Sequence, residues 1–195
     1  MSGYSTLVRA THLVTNAAWF GGSLMGAVAL NPASREGDDA REQAEIADEG
    51  WSRWGRVQGA SIGLHLVSGL AIVADNRRRV VAHTPTTVAV VAKTVLTGAA
   101  LAASAAAYRI GSQLGDAQER ADVDRSSAGR AHSLANRMRW LQWATPVTTA
   151  GILVLDAYLG EQQRGAAGLL DPPTRLRSRA KVTASGRRVH GSTGV

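Results

Sequence analysis

Five side chains able to ionise or to form strong hydrogen bonds lie within otherwise apolar runs of this sequence. They are His12, Asn16, His65, Lys93 and Asp156. Ionisable groups are costly in hydrocarbon, and where they occur there they often serve proton or ion chemistry. The same groups can also act only structurally, by joining helices through hydrogen bonds or by reaching toward the membrane boundary. Both interpretations depend on the helices that hold these residues.

Four apolar runs predict four transmembrane helices, over about residues 10–31, 57–75, 86–108 and 140–160. Each run is close to the ~20 residues that cross ~30 Å of hydrocarbon. Asn31-Pro32 predicts the end of the first span, because the residue before a proline is disfavoured in a helix. Pro85 predicts the start of the third span. The third span is rich in alanine and contains Lys93, so we expect it inside the bundle.

An alternative interpretation of the first run is a cleaved signal peptide. Arg9 would supply a thin basic region, and Ala27-Val28-Ala29 resembles a cleavage site. The run is longer than the apolar part of a usual signal peptide and includes Asn16 and Trp19, which favours a retained helix. Cleavage would leave three spans and an N-terminus outside the cell.

The charges between the runs predict the orientation of the protein in the membrane. Basic residues precede the first span, fill the short second connector and follow the fourth span, at Arg9, Arg77, Arg78, Arg79, Arg164, Arg175, Arg177, Arg179, Lys181, Arg187 and Arg188. The first connector is acidic, with Glu36, Asp38, Asp39, Glu42, Glu45, Asp48 and Glu49. The excess of positive charge on the cytoplasmic side predicts a multi-pass protein of the cell membrane with both termini in the cytoplasm.

The depths of the polar residues along their spans predict one cluster near the cytoplasmic side. At ~1.5 Å per residue, Asp156 lies about 4 Å inside its span and Lys93 about 10 Å inside its own. Arg9 and His12 enter from the same side. A cluster of these four residues could form a proton or anion site open to the cytoplasm. It could equally be a set of structural pairs close to the boundary.

His65 lies near the middle of the second span, with Ser61 and Ser68 at helical spacing on either side. It could be a haem ligand, a metal ligand or a proton relay, or a neutral histidine that bonds a neighbouring helix. Measured from the predicted span ends, His65 and His12 differ in depth by roughly 9 Å. Two axial haem ligands must face each other at similar depth, so haem is disfavoured and the cofactor is left undetermined.

The connectors and the tail predict further elements outside the membrane. Residues 38–56 and 116–139 have helical character, and Trp51 and Trp54 share one face that suits the outer interface. Residues 1–165 thus form an all-α, four-helix transmembrane bundle with helical extensions. Residues 166–195 are basic and polar, which predicts a disordered cytoplasmic tail drawn to anionic lipid.

Small residues and one proline predict how the helices pack. Small residues recur every four positions at Gly22 and Gly26, at Gly59 and Gly63, and at Gly98, Ala102 and Ala106. Such spacing lets helices approach closely, within the bundle or in a homo-oligomer. Pro146 predicts a kink in the fourth span, where nearby threonines could bond the freed carbonyl groups.

Composition excludes several classes of function. The net charge of +7 lies outside the apolar runs, so we expect a lipid bilayer as partner and no nucleic acid. The chain has no cysteine, which excludes disulfides, iron–sulfur clusters and thiolate zinc sites. It also lacks the phosphate loop, the paired-histidine zinc motif and the serine nucleophile motif. No metal site is predicted, and the residues do not decide whether the protein is an enzyme.

The segment from Ala18 to Ala33, AWFGGSLMGAVALNPA, resembles the opening helix of small four-helix bacterial membrane proteins. These include the anthrone-oxygenase-like group and the copper-resistance D-like group. The shared features are a Gly-Gly midway, an Asn-Pro exit and a helical connector with two tryptophans. The resemblance implies the four-helix architecture and no functional residue. Copper ligands in the second group would be histidine or methionine, and the spans here offer only His12, His65 and Met25.

Three functions are compatible with these features. The first is an accessory subunit or a membrane protein that binds a small molecule or lipid, with a membrane protein partner or a second copy of the chain. The second is a small membrane enzyme, an oxygenase or redox protein, with a site around His65. The third is an oligomeric transporter that uses the polar cluster near the cytoplasm.

Overall fold

The computed structural model describes the backbone of residues 3–77, 80, 84–120 and 125–170. Within these ranges the chain is helical and contains no strand, which confirms the all-α class. The helices are α1 (Gly3–Met25), a π-helical segment (Gly26–Leu30), α2 (Asn31–Ser34), α3 (Ala40–Asp75), α4 (Thr84–Glu119), α5 (Arg125–Leu141) and α6 (Ala144–Leu170). Contacts divide the chain into two units, Met1–Ala157 and Tyr158–Val195. In the second unit, residues 158–170 continue α6, and the rest of the predicted tail lies outside the described residues.

Three helical stretches are long and apolar enough to cross a membrane: Tyr4–Ser34, Ala40–Asp75 and Thr84–Glu119. They contain the first three predicted spans. The fourth predicted span, residues 140–160, is interrupted near its start, because α5 ends at Leu141 and α6 begins at Ala144. Its passage through the membrane stays a prediction.

The first helix does not end at Asn31-Pro32, and that prediction is wrong. The chain stays helical through Pro32 to Ser34. The backbone N–H of Asn31 donates to the carbonyl of Gly26, five residues earlier, which is the hydrogen bond of a π-turn. Pro32 therefore falls in the first turn of a new helical segment, where no N–H is needed.

The first connector and the second span form one continuous helix, α3, of 36 residues. This confirms the helical character predicted for residues 38–56. The helix begins at an N-cap, where the Asp39 side chain accepts a hydrogen bond of 2.8 Å from the backbone N–H of Glu42. Arg41 pairs with Glu45, one turn further along, rather than with an acid before it.

Substituting Asp39 by alanine is expected to lower the free energy of unfolding by about 1 kcal/mol, because one N-terminal N–H group loses its partner. Thermal unfolding in detergent, followed by circular dichroism, measures the change. Asp48→Ala is the matched control, since Asp48 is exposed in the third turn of the same helix, beyond the N-terminal N–H groups that need a cap. Equal effects of the two substitutions would argue against the cap.

The third span is not enclosed by the bundle, and the expectation that it lies inside is wrong. Its buried positions are small residues on one face, at Thr86, Ala89, Ala100 and Ala103. The opposite face exposes Val88, Val91 and Val95, each by more than half of its surface. The alanine face is narrow, so it packs on its neighbours while the valines point away from the protein.

Beyond the third span, α4 continues to Glu119 and α5 runs back beside it. A Cβ atom placed on Gly111 of α4 would lie 3.6 Å from Cε of Met138 of α5, in ordinary contact. The predicted helical extension over residues 116–139 is thus present as the end of α4 and most of α5.

Glycines of α1 accommodate the two tryptophans of α3. A Cβ atom on Gly22 would lie 2.0 Å from Nε1 of Trp54, and one on Gly26 would lie 2.3 Å from Cη2 of Trp51. Trp51 also donates a hydrogen bond of 3.0 Å to Oδ1 of Asn31. The two indoles share a face as expected, and that face packs on α1. The other predicted glycine contacts are not formed within the described part of the chain, since Gly59, Gly63 and Gly98 have nothing within 4 Å of a Cβ position.

A small apolar core lies at the centre of the bundle. Trp19, Ala100 and Ile152, from α1, α4 and α6, are completely buried, and Ile62, Leu96 and Leu101 pack around them. Pro146 lies in the first turn of α6, where a proline is tolerated, so the chain turns at Gln142–Trp143 instead of kinking inside a helix. The hydroxyl of Thr149 donates to the carbonyl of Thr145 at 2.7 Å, a bond within the turn after Pro146 and not to the carbonyl of Gln142 that Pro146 leaves without its N–H donor.

Candidate functional site

One face of α1 carries three of the most buried side chains in the protein. His12, Asn16 and Trp19 follow one another at intervals of four and three residues, which places them on one side of a helix. His12 is 4% exposed, and Asn16 and Trp19 are 0% exposed. This face lies against α3, α4 and α6, so groups from all four helices meet beside it.

His12 and His65 form a stacked pair between α1 and α3. Their ring centroids are 3.9 Å apart and the ring planes differ by 15°. Each ring also contacts the backbone of the other residue: Nδ1 of His12 lies 3.0 Å from the carbonyl oxygen of His65, and Nδ1 of His65 lies 3.3 Å from that of His12. Trp19 also packs against His65 in an edge-to-face arrangement, with 6.1 Å between ring centroids.

Two small residues of α3 make room for the stacked pair. The hydroxyl oxygen of Ser68 lies 3.1 Å from Nδ1 of His12. A Cβ atom on Gly69 would approach Cε1 of His12 to 3.0 Å, which is tighter than most real contacts. The roles of Ser68 and Gly69 toward His12 were not predicted. The only signal in the sequence was the helical spacing of Ser68 from His65.

Lys93 of α4 joins this pair to α6. Its ammonium group forms an ion pair with Asp156 and lies 2.7 Å from Nε2 of His12. The side chains of Lys93 and Asp156 are only 16% and 10% exposed. We call the assembly of His12, His65, Ser68, Lys93 and Asp156 the core cluster. It draws its members from α1, α3, α4 and α6.

The hydrogen bonds of the core cluster define its protonation. A protonated Lys93 has only donors, so Nε2 of His12 must accept, and the proton of that ring lies on Nδ1. Nδ1 then donates to the carbonyl of His65. A further proton reaches Nε2 of His12 only when Lys93 releases that nitrogen. Proton uptake is therefore linked to the position of the Lys93 side chain.

Asn16, beside the core cluster, and Asp156, within it, both have buried polar atoms that form no hydrogen bond among the described residues. Neither atom of the Asn16 amide forms a hydrogen bond, and the second carboxylate oxygen of Asp156, Oδ2, forms none either. One turn further along α1, Nε1 of Trp19 donates to the hydroxyl of Ser104 at 3.2 Å. Ser104 in turn lies 3.4 Å from the hydroxyl of Thr145.

The structure brings together four of the five candidate residues, His12, His65, Lys93 and Asp156. Asn16 lies one turn along α1, buried and without a hydrogen bond to them. Arg9, expected at the edge of the cluster, is half-buried on α1 three residues before His12.

The predicted depth offset between His12 and His65 is wrong, because the two rings are in contact. That offset was counted from the ends of the apolar runs. The helices extend past those ends, and their register is set by the close contact of His12 with Ser68 and Gly69. The pair does not suit a haem held between its two rings, since stacked rings leave no space for a porphyrin. No group of three histidines, aspartates or glutamates converges as a metal site within the described ranges.

Comparisons with protein-family models, with curated proteins and with solved structures found no match. The class of protein therefore follows from its fold and its site. It is an all-α bundle with three helices long and apolar enough to cross a membrane, built around a buried cluster of charged and hydrogen-bonding side chains.

Proposed function

We propose that this chain is an integral membrane protein of the cell membrane that moves protons, using the core cluster as its proton-exchange site. In this proposal the chain spans the bilayer four times, with both termini in the cytoplasm. Three helices of membrane-spanning length support the location, and the basic connectors support the orientation. Transport through a bundle of four helices leaves little room for a solute, so a homo-oligomer is the expected working form.

The observation that carries the proposal is the chain of contacts from Asp156 through Lys93 to His12. A buried ion pair often contributes no more stability than apolar residues of the same size. In a membrane the cost of charge is higher still, and charged groups within spans commonly mark ion or proton pathways. Packing alone therefore does not account for a carboxylate, an ammonium and an imidazole in direct contact.

These three groups have the chemistry that proton exchange requires. Carboxylate, amine and imidazole each accept and release a proton, and the Lys93 amine is within hydrogen-bond reach of both the Asp156 carboxylate and the His12 imidazole. Because Lys93 occupies Nε2 of His12, a proton entering at the imidazole displaces the lysine toward Asp156. The core cluster then has two states, one with Lys93 bonded to His12 and one with Lys93 moved toward Asp156. A transporter needs two such states.

Replacing His12 by phenylalanine is expected to reduce proton flux by at least about tenfold, since the imidazole at which the proton enters the cluster is lost. The measurement uses purified protein in liposomes that contain a pH-sensitive dye. A potassium gradient with valinomycin supplies the driving potential. His132→Phe is the matched control, because His132 is exposed on α5 and outside the core cluster.

Wild-type protein that conducts no more than empty liposomes would contradict the proposed function. Equal loss of flux in His12→Phe and His132→Phe would show that the effect does not arise in the core cluster. Circular dichroism and gel filtration of both variants establish that they fold and assemble like the wild type.

An accessory subunit that binds a partner helix or lipid is the second candidate. The exposed face of Val88, Val91 and Val95 on α4 favours it, since this face has no covering element in the described chain. Purification from the native membrane in mild detergent, followed by mass spectrometry, tests it. A stoichiometric protein partner would support this candidate, and a chain that purifies alone would oppose it. An oxygenase or redox centre at His65 has less support, because that ring is enclosed by His12 and Trp19.

A further inference from the structure

The Asn16 amide is the least satisfied group in the described part of the chain. Asn16 is completely buried, with 0% of its surface exposed to solvent. Neither its side-chain nitrogen nor its side-chain oxygen has a hydrogen-bond partner among the described residues. An unsatisfied buried polar group costs about 1–3 kcal/mol, and such groups are rare in folded proteins. An amide with two donors and one acceptor in this state calls for a ligand that supplies both kinds of group.

The buried hydroxyls of Thr15 and Thr149 do not fill this need. The hydroxyl of Thr15 already donates to the carbonyls of Thr11 and His12. Thr149, the completely buried threonine of α6, donates to the carbonyls of Thr145 and Pro146. These hydroxyl protons are all committed to the helix that carries them.

The position of Asn16 connects two polar layers of the bundle. His12 and the core cluster lie about 6 Å away along the axis of α1, and Trp19 lies about 4.5 Å away in the other direction. The free Oδ2 of Asp156 belongs to the core cluster, and the hydroxyls of Ser104 and Thr145 belong to the Trp19 layer. Asn16 thus lies between a proton-exchange site and a second set of hydrogen-bonding groups.

We propose that Asn16 binds a small group of water molecules inside the bundle, which also supplies the hydrogen bond that Oδ2 of Asp156 lacks. Water fits because it donates and accepts, and buried water typically makes about three hydrogen bonds to groups that would otherwise be unsatisfied. The Asn16 oxygen and the Asp156 carboxylate accept from it, and the Asn16 amide donates to it.

This water gives the core cluster a hydrogen-bonded connection toward the Trp19 layer. Lys93 passes a proton to the Asp156 carboxylate and is reprotonated from His12, and Asp156 then releases its proton to water on the side of the cluster that faces Asn16. The role in transport rests on the proposed function, whereas the presence of the water does not. The two are therefore tested by different measurements.

Solid-state NMR of the protein in lipid bilayers tests the water directly. Labelling asparagine and tryptophan side chains with nitrogen-15 allows transfer of magnetisation from water protons to each N–H group to be timed. The Asn16 signal is identified as the one lost in the Asn16→Leu variant. We expect fast transfer to the Asn16 amide and slower transfer to the indole of Trp19, which is equally buried but bonded to Ser104.

Transfer to Asn16 no faster than to Trp19 would overturn the inference. Replacing H2O by D2O separates water from another small polar molecule, because a signal from water protons disappears and a signal from a retained ligand persists. Persistence would also overturn it. Greater thermal stability of Asn16→Leu, together with slow transfer to the Asn16 amide in the wild type, would show an amide that is simply unsatisfied.

Proton flux through Asn16→Leu then tests the role of the water. At least about tenfold less flux than wild type is expected, with the Lys93–Asp156 pair intact. Unchanged proton flux in Asn16→Leu, together with fast transfer from water to Asn16 in the wild type, would support the water site and show that the water is not on the proton path. A wild type without flux would refute the proposed function and leave the NMR result unaffected.

Discussion

Replacing Lys93 by methionine is expected to lower the free energy of unfolding by about 3–5 kcal/mol, the largest effect of any single substitution considered. The change leaves the Asp156 carboxylate buried without a counter-charge and removes the donor to Nε2 of His12. An unpaired buried charge is much more costly than an absent pair. Unfolding in mixed micelles of mild detergent and dodecyl sulfate, followed by circular dichroism, measures the loss.

The double variant Lys93→Met with Asp156→Leu is the test of this explanation. Removing both charges is expected to recover most of the lost stability, because no charge is then left unpaired. Proton flux is expected to be lost in the double variant, since two of the three exchange groups are removed. Arg109→Met is the control, as Arg109 is an exposed cation on the same helix. Additive losses in the double variant would contradict a direct pairing.

Replacing Gly26 by alanine is expected to lower the free energy of unfolding by about 1–3 kcal/mol, although alanine is the better helix former. The added Cβ would lie 2.3 Å from the Trp51 indole, which must then move. That indole is held by its hydrogen bond to Asn31, so moving it also breaks the contact between α3 and the end of the first helix. Tryptophan fluorescence should shift together with the loss of stability.

Gly21→Ala is the matched control for this prediction. Gly21 neighbours Gly22 in the same helix, and a Cβ atom there meets nothing within 4 Å. Alanine at position 21 is expected to leave stability unchanged or to raise it by up to about 1 kcal/mol, through helix propensity alone. If both substitutions act alike, the packing of Trp51 on Gly26 is not what matters at that position.

The helices themselves were predictable because their signals are local. The apolar runs and the acidic pattern of the first connector can each be read from residues close together in the chain. The meeting of His12 with Lys93 and Asp156 was also predictable, since all three were placed near the same boundary. Equal depth in neighbouring helices is sufficient for contact when the side chains are long.

His65 was misplaced because register between helices is not a local property. The contact of His12 with His65 depends on Ser68 and Gly69, two small residues that do nothing distinctive within their own helix. The same limit applies to Gly22 and Gly26. Their spacing indicated close packing, but it did not indicate that the partner would be the indoles of α3 rather than its backbone.

The third span and the first helix end were mispredicted for different reasons. The alanine content and Lys93 suggested that the third span lies inside the bundle. One narrow face of the helix is enough to bury the alanines and Lys93, so the rest of the span stays exposed. Pro32 suggested a helix end, and the rule is sound for a regular α-helix. The π-turn before it removes the clash and the missing hydrogen bond together, and a turn of this kind has no clear sequence signature.

The π-helical segment also determines which direction the side chains of the next helical segment face. Each residue advances an α-helix by about 100°, so the one extra residue in Gly26–Leu30 turns the next segment by about that angle. Asn31 thereby comes to face both Gln142 and Trp51, to which it is hydrogen-bonded. Deleting a single residue from this segment would restore a regular helix and swing Asn31 out of both contacts. Related proteins that differ here by one insertion or deletion are therefore expected to close this end of the bundle through different side chains.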